Sequence, residues 1–171
     1  VLIPALDRVG AAFEAGKVFL PQLIQSAGAA QAAFEVIRER LSGQPGQGED
    51  RGTIVLATVK GDIHDIGKNI VKVLLENYGY TVVDLGKDVD PAAVAEAVRK
   101  HRAPLVGLSA LMTTTLPAME KTIRLLHTME EPPVIFVGGA VVTPEYAKQM
   151  NADYYAKDAH QSVEITRKVM G

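Results

Sequence analysis

The stretch TIVLATVKGDIHDIGKNIVKVLLENYGYTVVDL, residues 53 to 85, contains a strand, a loop, a helix and a second strand. Its two ends, 53–59 and 80–85, are short apolar runs rich in Thr, Val and Leu, which is typical of strands that are buried on both faces. Between them a polar loop is followed, from about Gly67, by apolar residues at helical spacing. Parallel strands need a crossover of this kind, so the stretch indicates a βαβ unit.

The same alternation continues toward the end of the chain. Further strands are predicted at 104–109, 133–139 and, less strongly, 153–155, and further helices begin near Pro91, Leu116, Thr143 and Ala159. Five such units in about 120 residues predict an α/β, flavodoxin-like, doubly wound fold with a parallel five-stranded sheet of order 2-1-3-4-5. In this fold the ligand crevice lies where strands 1 and 3 diverge.

A different pattern precedes the sheet. Residues 1–41 carry apolar side chains at intervals of three and four, and the sequence EAGK at 14–17 favours a turn, so we expect an αα-hairpin. Residues 42–52 read SGQPGQGEDRG, the composition of a flexible linker. We therefore predict a partial helical-bundle cap at 1–41, a linker at 42–52 and an α/β domain at 53–171. Two helices cannot bury both of their apolar stripes alone, and the chain begins at Val1, so we expect the cap to be truncated.

Composition excludes several classes of site. The 171 residues carry a net charge of −2 with Lys and Arg scattered along the chain, so we expect neither a nucleic-acid partner nor a membrane partner. There is no cysteine, which excludes disulfides, iron–sulfur clusters and thiolate zinc sites. Charged residues interrupt the apolar N-terminal run too early for a membrane span or a signal peptide. We expect a cytoplasmic protein.

Three loops should meet at the carboxyl edge of the sheet. They are KGDIHDIGKN at 60–69, SALMTTTL at 109–116 and the glycine pair at 138–139. Glycines at such an edge let a ligand approach the backbone closely, and we also expect Gly67 to allow a tight entry into its helix. The three threonines of the second loop are also candidates to cap the helix that follows.

The first loop contains D-x-H-x-x-G, formed by Asp62, His64 and Gly67. The neutral imidazole of His64 is a good ligand for a transition metal. Asp62 can accept a hydrogen bond from the other ring nitrogen and so fix the tautomer. A single His does not hold a bare metal ion tightly, so either the metal arrives with its own macrocycle or no metal binds.

Taken together, these motifs resemble a known family. D-x-H-x-x-G, then S-x-L at 109–111, then Gly138-Gly139, on one α/β domain, is similar to the cobalamin-binding domain of methionine synthases, B12-dependent mutases and the corrinoid proteins of methyltransferase systems. The resemblance covers the chain from Thr53 onward. The pattern V-G-x-x-F-x-x-G-x-x-F-L-P-Q at 9–22 resembles the helical cap of the methyl-transferring branch.

The resemblance implies a cobamide, either cobalamin or an analogue with another lower base, bound base-off. In that mode the lower base leaves the cobalt, enters a slot in the α/β domain and is replaced by a protein histidine, here His64. Behind the ligand, the family's hydrogen-bonded relay maps to Asp62 and Thr115, and proton uptake by this relay on release of the ligand is a further hypothesis. The remaining cofactor-binding positions that the resemblance implies are Gly61, Ile63, Asp65, Gly67, Ser109, Leu111, Thr113, Gly138, Gly139 and Ala159, together with Phe13, Leu20 and Leu23 of the cap. The cap residues are equally expected as hairpin core.

The implied function is that of a methyl carrier. Its partners would be a substrate-specific methyltransferase, a methyl-acceptor methyltransferase that uses tetrahydrofolate or a thiol, and a reductive activating protein. SALMTTTLPAM at 109–119 resembles the stand-alone corrinoid proteins of methanol, methylamine and aryl-ether systems more than the methionine synthases. A methionine synthase fragment stays as one alternative, and a cobalamin-sensing regulatory module as another of a non-enzymatic class.

Other proteins of similar sequence pattern fit less well. A receiver domain needs a phosphoacceptor Asp at the end of strand 3, where Ser109 stands. A flavodoxin binds phosphate after strand 1, where two aspartates, Asp62 and Asp65, would repel it. An HD phosphohydrolase needs further metal ligands on a helical scaffold. We reject all three.

Overall fold

A computed structural model describes the whole of 51–171 and part of the chain before it. In that earlier part the described residues are Ala5, Arg8, Val9, Ala12, 16–19, Gln22, Gln25, Ser26, Ala29, Ala32, Ala33 and Val36. By its internal contacts the chain divides into two compact units, Val1–Gln47 and Gly48–Gly171. The predicted linker falls, except for its last two residues, outside the described residues and stays a prediction.

In the first unit, the described residues on both sides of a turn are helical. Gly16 has a φ of +69°, a left-handed conformation that glycine adopts at little cost. The N–H groups of Lys17 and Val18 donate to the carbonyl of Ala12, at 2.8 and 3.2 Å, and close the end of the first helical stretch. The helix, turn and helix predicted from apolar spacing are thus present in the part of this unit that the structure describes.

The second unit alternates strands with helices. The strands are β1 (Thr53–Thr58), β2 (Thr81–Asp84), β3 (Leu105–Ser109), β4 (Val134–Gly138) and β5 (Tyr154–Ala156). The helices are α1 (Ile66–Asn77), α2 (Pro91–His101), α3 (Leu116–His127), α4 (Pro144–Gln149) and α5 (Ala159–Met170), with a 3-10 turn at Thr113–Thr115. All neighbouring strands pair in parallel, in the order β2-β1-β3-β4-β5. The predicted flavodoxin-like fold is confirmed.

Three of these helices begin at a side chain that caps them. Asp90 accepts a hydrogen bond from the N–H of Ala92 at the start of α2, at 3.0 Å. Thr143 caps α4 and Asp158 caps α5 in the same way, each through the N–H three residues later. Because such caps satisfy N–H groups that have no partner within the helix, they define where each helix starts.

Alternate residues of the strands form two separate cores. One core lies under α2, α3 and α4, and the other lies under α1 and α5. The helices of both faces are short: among those described, none is long and apolar enough to cross a membrane.

The face under α1 and α5 changes character toward the carboxyl ends of the strands. There the register aligns Thr58, Ser109, Gly138 and Ala156 in one row across the sheet. Since side chains alternate along a strand, all four point to the same face, and none of them is large. The sheet therefore leaves space beside α1 and α5 at the edge where the loops emerge.

Candidate functional site

The loop after β1 folds back on itself before it reaches His64. The N–H of Asp62 donates to the carbonyl of Val59 at 3.0 Å, and Gly61 within this turn has a φ of +85°. A side chain at Gly61 would disfavour that conformation. The turn places the carboxylate of Asp62 under the loop, where none of the residue is exposed to solvent.

The buried carboxylate of Asp62 joins two loops. Its Oδ1 accepts a hydrogen bond from the backbone N–H of His64 at 3.0 Å and lies 2.8 Å from His64 Nδ1. Its Oδ2 accepts from the N–H groups of Leu111 and Met112, at 2.7 and 3.2 Å. It also lies 3.1 Å from Thr115 Oγ1, whose single proton is shared with the carbonyl of Met112 at 2.8 Å. The predicted relay of Asp62, His64 and Thr115 is thus brought together, with two backbone donors added to it.

These contacts determine the charge of Asp62 and the tautomer of His64. Burial alone would raise the pKa of Asp62, but hydrogen bonds from the backbone of His64, Leu111 and Met112 and from the His64 ring hold it well below its usual range. Asp62 is therefore ionised at neutral pH and can only accept hydrogen bonds. A neutral His64 imidazole must carry its proton on Nδ1, which leaves the lone pair of Nε2 available to a metal.

His64 is the histidine that lines the cavity at this edge of the sheet. Its side chain is 46% exposed, whereas its partner Asp62 is buried. His101 and His127 are exposed at the ends of α2 and α3, and His160 is exposed in the first turn of α5. Among the described residues there is no cluster of three or more His, Asp or Glu side chains that would hold a metal ion. In this part of the chain, a metal at His64 would therefore depend on ligands that are not from the protein.

A cavity of about 330 Å³ opens at this edge, in the space left by the small residues of the sheet. Of the positions predicted from sequence, it is lined by His64, Gly67, Ser109, Leu111, Gly138, Gly139 and Ala159. Its walls also include residues that the sequence did not suggest, among them Leu56, Lys68, Gly107, Phe136, Ala156 and Ser162. A volume of this size holds part of a large cofactor, with the rest outside the rim.

The other described residues among the predicted positions do not line the cavity. Gly61, Ile63 and Asp65 lie on the loop that carries His64, and the side chain of Ile63 is 62% exposed. Thr113 lies, exposed, in the 3-10 turn before α3. Phe13, Leu20 and Leu23, predicted to cover the cofactor from the cap, lie outside the described residues.

The glycines at this edge have two different roles. Gly139 has a φ of +119°, and a Cβ built on it would lie 2.0 Å from the carbonyl oxygen of Ala110, so no side chain fits there. A Cβ on Gly67 would meet no atom within 4 Å, and its φ is not in the left-handed region. The expectation that Gly67 permits a tight entry into α1 is therefore wrong. What its missing side chain does is leave room in the cavity wall.

Two hydroxyl groups contact each other at the carboxyl ends of the paired strands β1 and β3. Thr58 Oγ1 lies 3.0 Å from Ser109 Oγ. Thr58 is fully buried, while Ser109 reaches the cavity. Ser109 can therefore form a hydrogen bond with a ligand in the cavity. Thr58, which sequence reasoning did not select, holds the Ser109 hydroxyl in place through its own hydroxyl.

Lys68, which lines the cavity, belongs to a buried ion pair. Lys68 Nζ, on the inner side of α1, donates to Asp84 Oδ1 at 2.5 Å and to Asn69 Oδ1 at 2.8 Å. Burial alone would raise the pKa of Asp84, but the hydrogen bonds from Lys68 and Gly86 and the charges of Lys68 and Lys72 lower it. The sequence missed Lys68 because a lysine on a helix is usually exposed. An aspartate at an inward-facing position of a predicted strand, here Asp84, was the available signal.

The fold and site define a class of protein: a parallel α/β domain that presents one histidine, oriented by a buried carboxylate, at the mouth of a ligand cavity. Comparison with known proteins identifies the family. A B12 binding domain family model matches residues 52–164, and a second B12 binding domain model matches residues 1–38. The chain belongs to the B12-binding corrinoid proteins, as the sequence motifs predicted.

Individual relatives support this membership. Dimethylamine corrinoid protein 1 of Methanosarcina acetivorans is 37% identical over 171 residues, which cover 99% of this chain and 80% of the relative. The solved monomethylamine corrinoid protein of Methanosarcina barkeri matches with a TM-score of 0.78 at 32% identity, covering 99% of this chain and 80% of that one. The methanol:cobalamin methyltransferase complex of Methanosarcina barkeri matches with a TM-score of 0.69 at 32% identity, covering 99% and 64%.

The residues present fit a corrinoid. Such a cofactor brings its own ring of nitrogen ligands, so a site with a single histidine is compatible with it, and His64 Nε2 is free to bind a metal. The cavity beside it combines apolar walls with the hydroxyl of Ser109, which suits an aromatic base. Ile63 and Leu111, both exposed and apolar, flank the rim where a flat macrocycle would be covered.

Proposed function

We propose that this chain is a methyl carrier that holds a cobamide base-off, with His64 Nε2 as the axial ligand of cobalt. The observation that supports this most directly is the 2.8 Å contact between His64 Nδ1 and the ionised, buried carboxylate of Asp62. This contact leaves Nε2 of a neutral His64 unprotonated, and His64 lines the cavity. A bound corrinoid would supply the methyl-transfer chemistry, and the residues of the chain would hold and orient it.

Several of the predicted residues have a defined part in this arrangement. Asp62 fixes the tautomer and the direction of the His64 ring, and Thr115 holds Asp62 from the other side. The cavity receives the displaced lower base and its nucleotide tail, with Ser109 facing the base. Gly138 and Gly139 let the tail pass close to the backbone. A role of Phe13, Leu20 and Leu23 in covering the cofactor stays a prediction from the family resemblance, since these residues lie outside the described part of the chain.

The partners follow from the same reading. A carrier has no substrate site of its own, so it must visit a methyltransferase that donates the methyl group and another that accepts it on tetrahydrofolate or a thiol. A reductive activating protein restores cobalt after accidental oxidation. The names of the relatives, which refer to dimethylamine, monomethylamine and methanol systems, favour this over the methionine synthase and regulatory alternatives. We place the protein in the cytoplasm, where such partners work.

Electron paramagnetic resonance of the Co(II) form tests the axial bond. We expect the loaded wild type to show a nitrogen splitting that changes from a triplet to a doublet when the protein alone is labelled with nitrogen-15. His64→Ala should lose the splitting that responds to the protein label, because any nitrogen then on cobalt would come from the unlabelled lower base, and its affinity for hydroxocobalamin should fall by roughly tenfold or more. His127→Ala, at the exposed end of α3, is the matched control and should behave as wild type. A label-sensitive splitting that survives in His64→Ala, or a wild-type splitting that ignores the label, would refute the proposal.

Methyl transfer tests the function itself. The loaded and reduced protein should accept a methyl group from a methylamine or methanol methyltransferase of the relatives' organisms, measured by the change in its visible absorption. Transfer from methyltetrahydrofolate alone, with none from these enzymes, would instead favour the methionine synthase alternative.

A further inference from the structure

Asp88, in the loop between β2 and α2, contacts the turn that precedes His64. Its Oδ1 accepts a hydrogen bond from the N–H of Gly61 at 2.8 Å and lies 3.1 Å from Lys60 Nζ. Its own backbone N–H donates to the carbonyl of Asp62 at 2.9 Å. In the strand order β2-β1-β3, this contact comes from the side opposite to the loop after β3. Asp62 is thus held by its peptide from one neighbouring loop and by its carboxylate from the other.

The backbone of Asp88 has the conformation that this double contact needs. Its φ is +55°, in the left-handed region that residues with a Cβ rarely adopt and that Asp, Asn and Gly tolerate best. The next residue, Val89, forms a parallel bridge with Val59, and its N–H donates to the carbonyl of Thr58 at 3.1 Å. The loop is therefore docked along the end of β1, and the left-handed residue directs both its side chain and its N–H into the turn.

We propose that Asp88 is a positioning residue for the axial ligand, acting through Gly61 and Asp62 to hold the His64 ring. This inference rests on the proposed function of His64. The turn has one hydrogen bond of its own, from Asp62 N–H to Val59, and it passes through the exposed Gly61. Without the contact from Asp88 the peptide between Lys60 and Asp62 is free to rotate. The carboxylate of Asp62, and with it the His64 ring, then loses its fixed direction.

Three variants separate the parts of this contact. Asp88→Gly keeps the left-handed backbone and removes the acceptor. Asp88→Asn keeps an acceptor oxygen and tolerates the same backbone, while it removes the negative charge. Asp90→Ala, two residues further in the same loop, removes the cap of α2 and is the control for a merely structural effect.

The first readout uses the protein without cofactor. Amide hydrogen exchange at His64 and Leu111, whose N–H groups donate to the Asp62 carboxylate, should be roughly tenfold faster in Asp88→Gly than in wild type, the effect of one hydrogen bond. Asp88→Asn and Asp90→Ala should exchange at the wild-type rate at both amides. Asp90→Ala should lower the thermal midpoint, which shows that lost stability alone does not open the loop.

The second readout uses the loaded Co(II) protein. With nitrogen-15 protein, the fraction of molecules that show the doublet from a protein nitrogen should fall in Asp88→Gly, recover in Asp88→Asn and stay at the wild-type level in Asp90→Ala. Wild-type exchange and splitting in Asp88→Gly would overturn the proposal, and so would an equal loss in Asp90→Ala. If wild type itself lacked the nitrogen splitting, the proposed function would fail, and the exchange experiment would still decide whether Asp88 holds the loop.

Discussion

Replacing Asp62 with Asn should move the proton of His64 from Nδ1 to Nε2. The Asp62 carboxylate presents two acceptors, whereas an amide presents one acceptor and one donor. Three donors face Oδ2, from Leu111, Met112 and Thr115, so the amide oxygen should stay on that side. The amide nitrogen then faces His64 and donates to Nδ1. The proton must sit on Nε2, where it blocks binding to a metal.

The loss of stability follows from the same contacts. The bond from the His64 N–H to Oδ1 disappears, because an amide nitrogen cannot accept it. A hydrogen bond to a charged group contributes about 1.5–3 kcal/mol, and a neutral one contributes about half of that. The three bonds on the other oxygen remain but become neutral. Together these changes should lower the free energy of unfolding by about 4–7 kcal/mol, a large part of the roughly 5–15 kcal/mol typical of a domain.

Two measurements check this. Urea unfolding of the protein without cofactor gives the change in stability, and heteronuclear NMR of the imidazole nitrogens reports the tautomer directly. In the loaded Co(II) form, Asp62→Asn labelled with nitrogen-15 should lack the doublet that a protein nitrogen on cobalt gives. Thr115→Val is the control, since it removes one of the donors and keeps the carboxylate, so it should keep both tautomer and splitting at a cost of about 1 kcal/mol. If Asp62→Asn kept the proton on Nδ1 and a normal splitting, the tautomer argument would be refuted.

Two further changes test the cavity and the buried ion pair. Gly67→Ala should leave the stability of the free protein unchanged or raise it by up to about 1 kcal/mol, since the added Cβ meets no protein atom. The methyl group should enter the cavity and weaken the binding of hydroxocobalamin. Equal affinities of the variant and the wild type in a titration would show that the cofactor does not occupy the space beside Gly67. Burial opposes the ionisation of Asp84, but its hydrogen bond from Lys68 and the charges of Lys68 and Lys72 lower its pKa in the folded protein. The stability that the ionised Asp84 contributes is therefore present above the ordinary aspartate pKa of about 4 and is lost as the pH falls below it. The free energy of unfolding should therefore depend less steeply on pH in Asp84→Asn than in wild type between about pH 5 and about pH 3, and identical slopes in urea titrations would rule this out.

The sheet and its order were predictable because the strands have a local signature. Strands buried on both faces need continuous apolar residues, so runs such as 53–59 and 104–109 stand out without any knowledge of their neighbours. Short β-α-β connections then leave few topologies. The predicted ends differ from the observed ones by a residue at most, because the boundaries carry prolines and capping side chains such as Asp90.

The site was predictable where its partners are close in sequence. Asp62 and His64 are two residues apart, and their contact follows from the D-x-H spacing. Two other contacts join residues that are far apart in sequence: 16 residues for Lys68 with Asp84 and 27 for Gly61 with Asp88. Each depends on the pairing of β2 with β1, which the spacing of the residues does not reveal. The role of Gly67 was misread for a related reason. A glycine that begins a helix has the same appearance in the sequence whether it permits a turn or leaves space for a ligand.

The placement of the groups around His64 explains how an exposed ring can be held in one orientation. His64 is nearly half exposed, so packing around the ring itself restrains it little. Its orientation depends instead on Asp62, which is fully buried and is held through its carboxylate and its peptide by two separate loops. An ionised carboxylate is stable there because five donor contacts offset the cost of burial. Changes at these buried donors should therefore affect axial ligation more strongly than changes to the exposed residues beside the ring, such as Ile63.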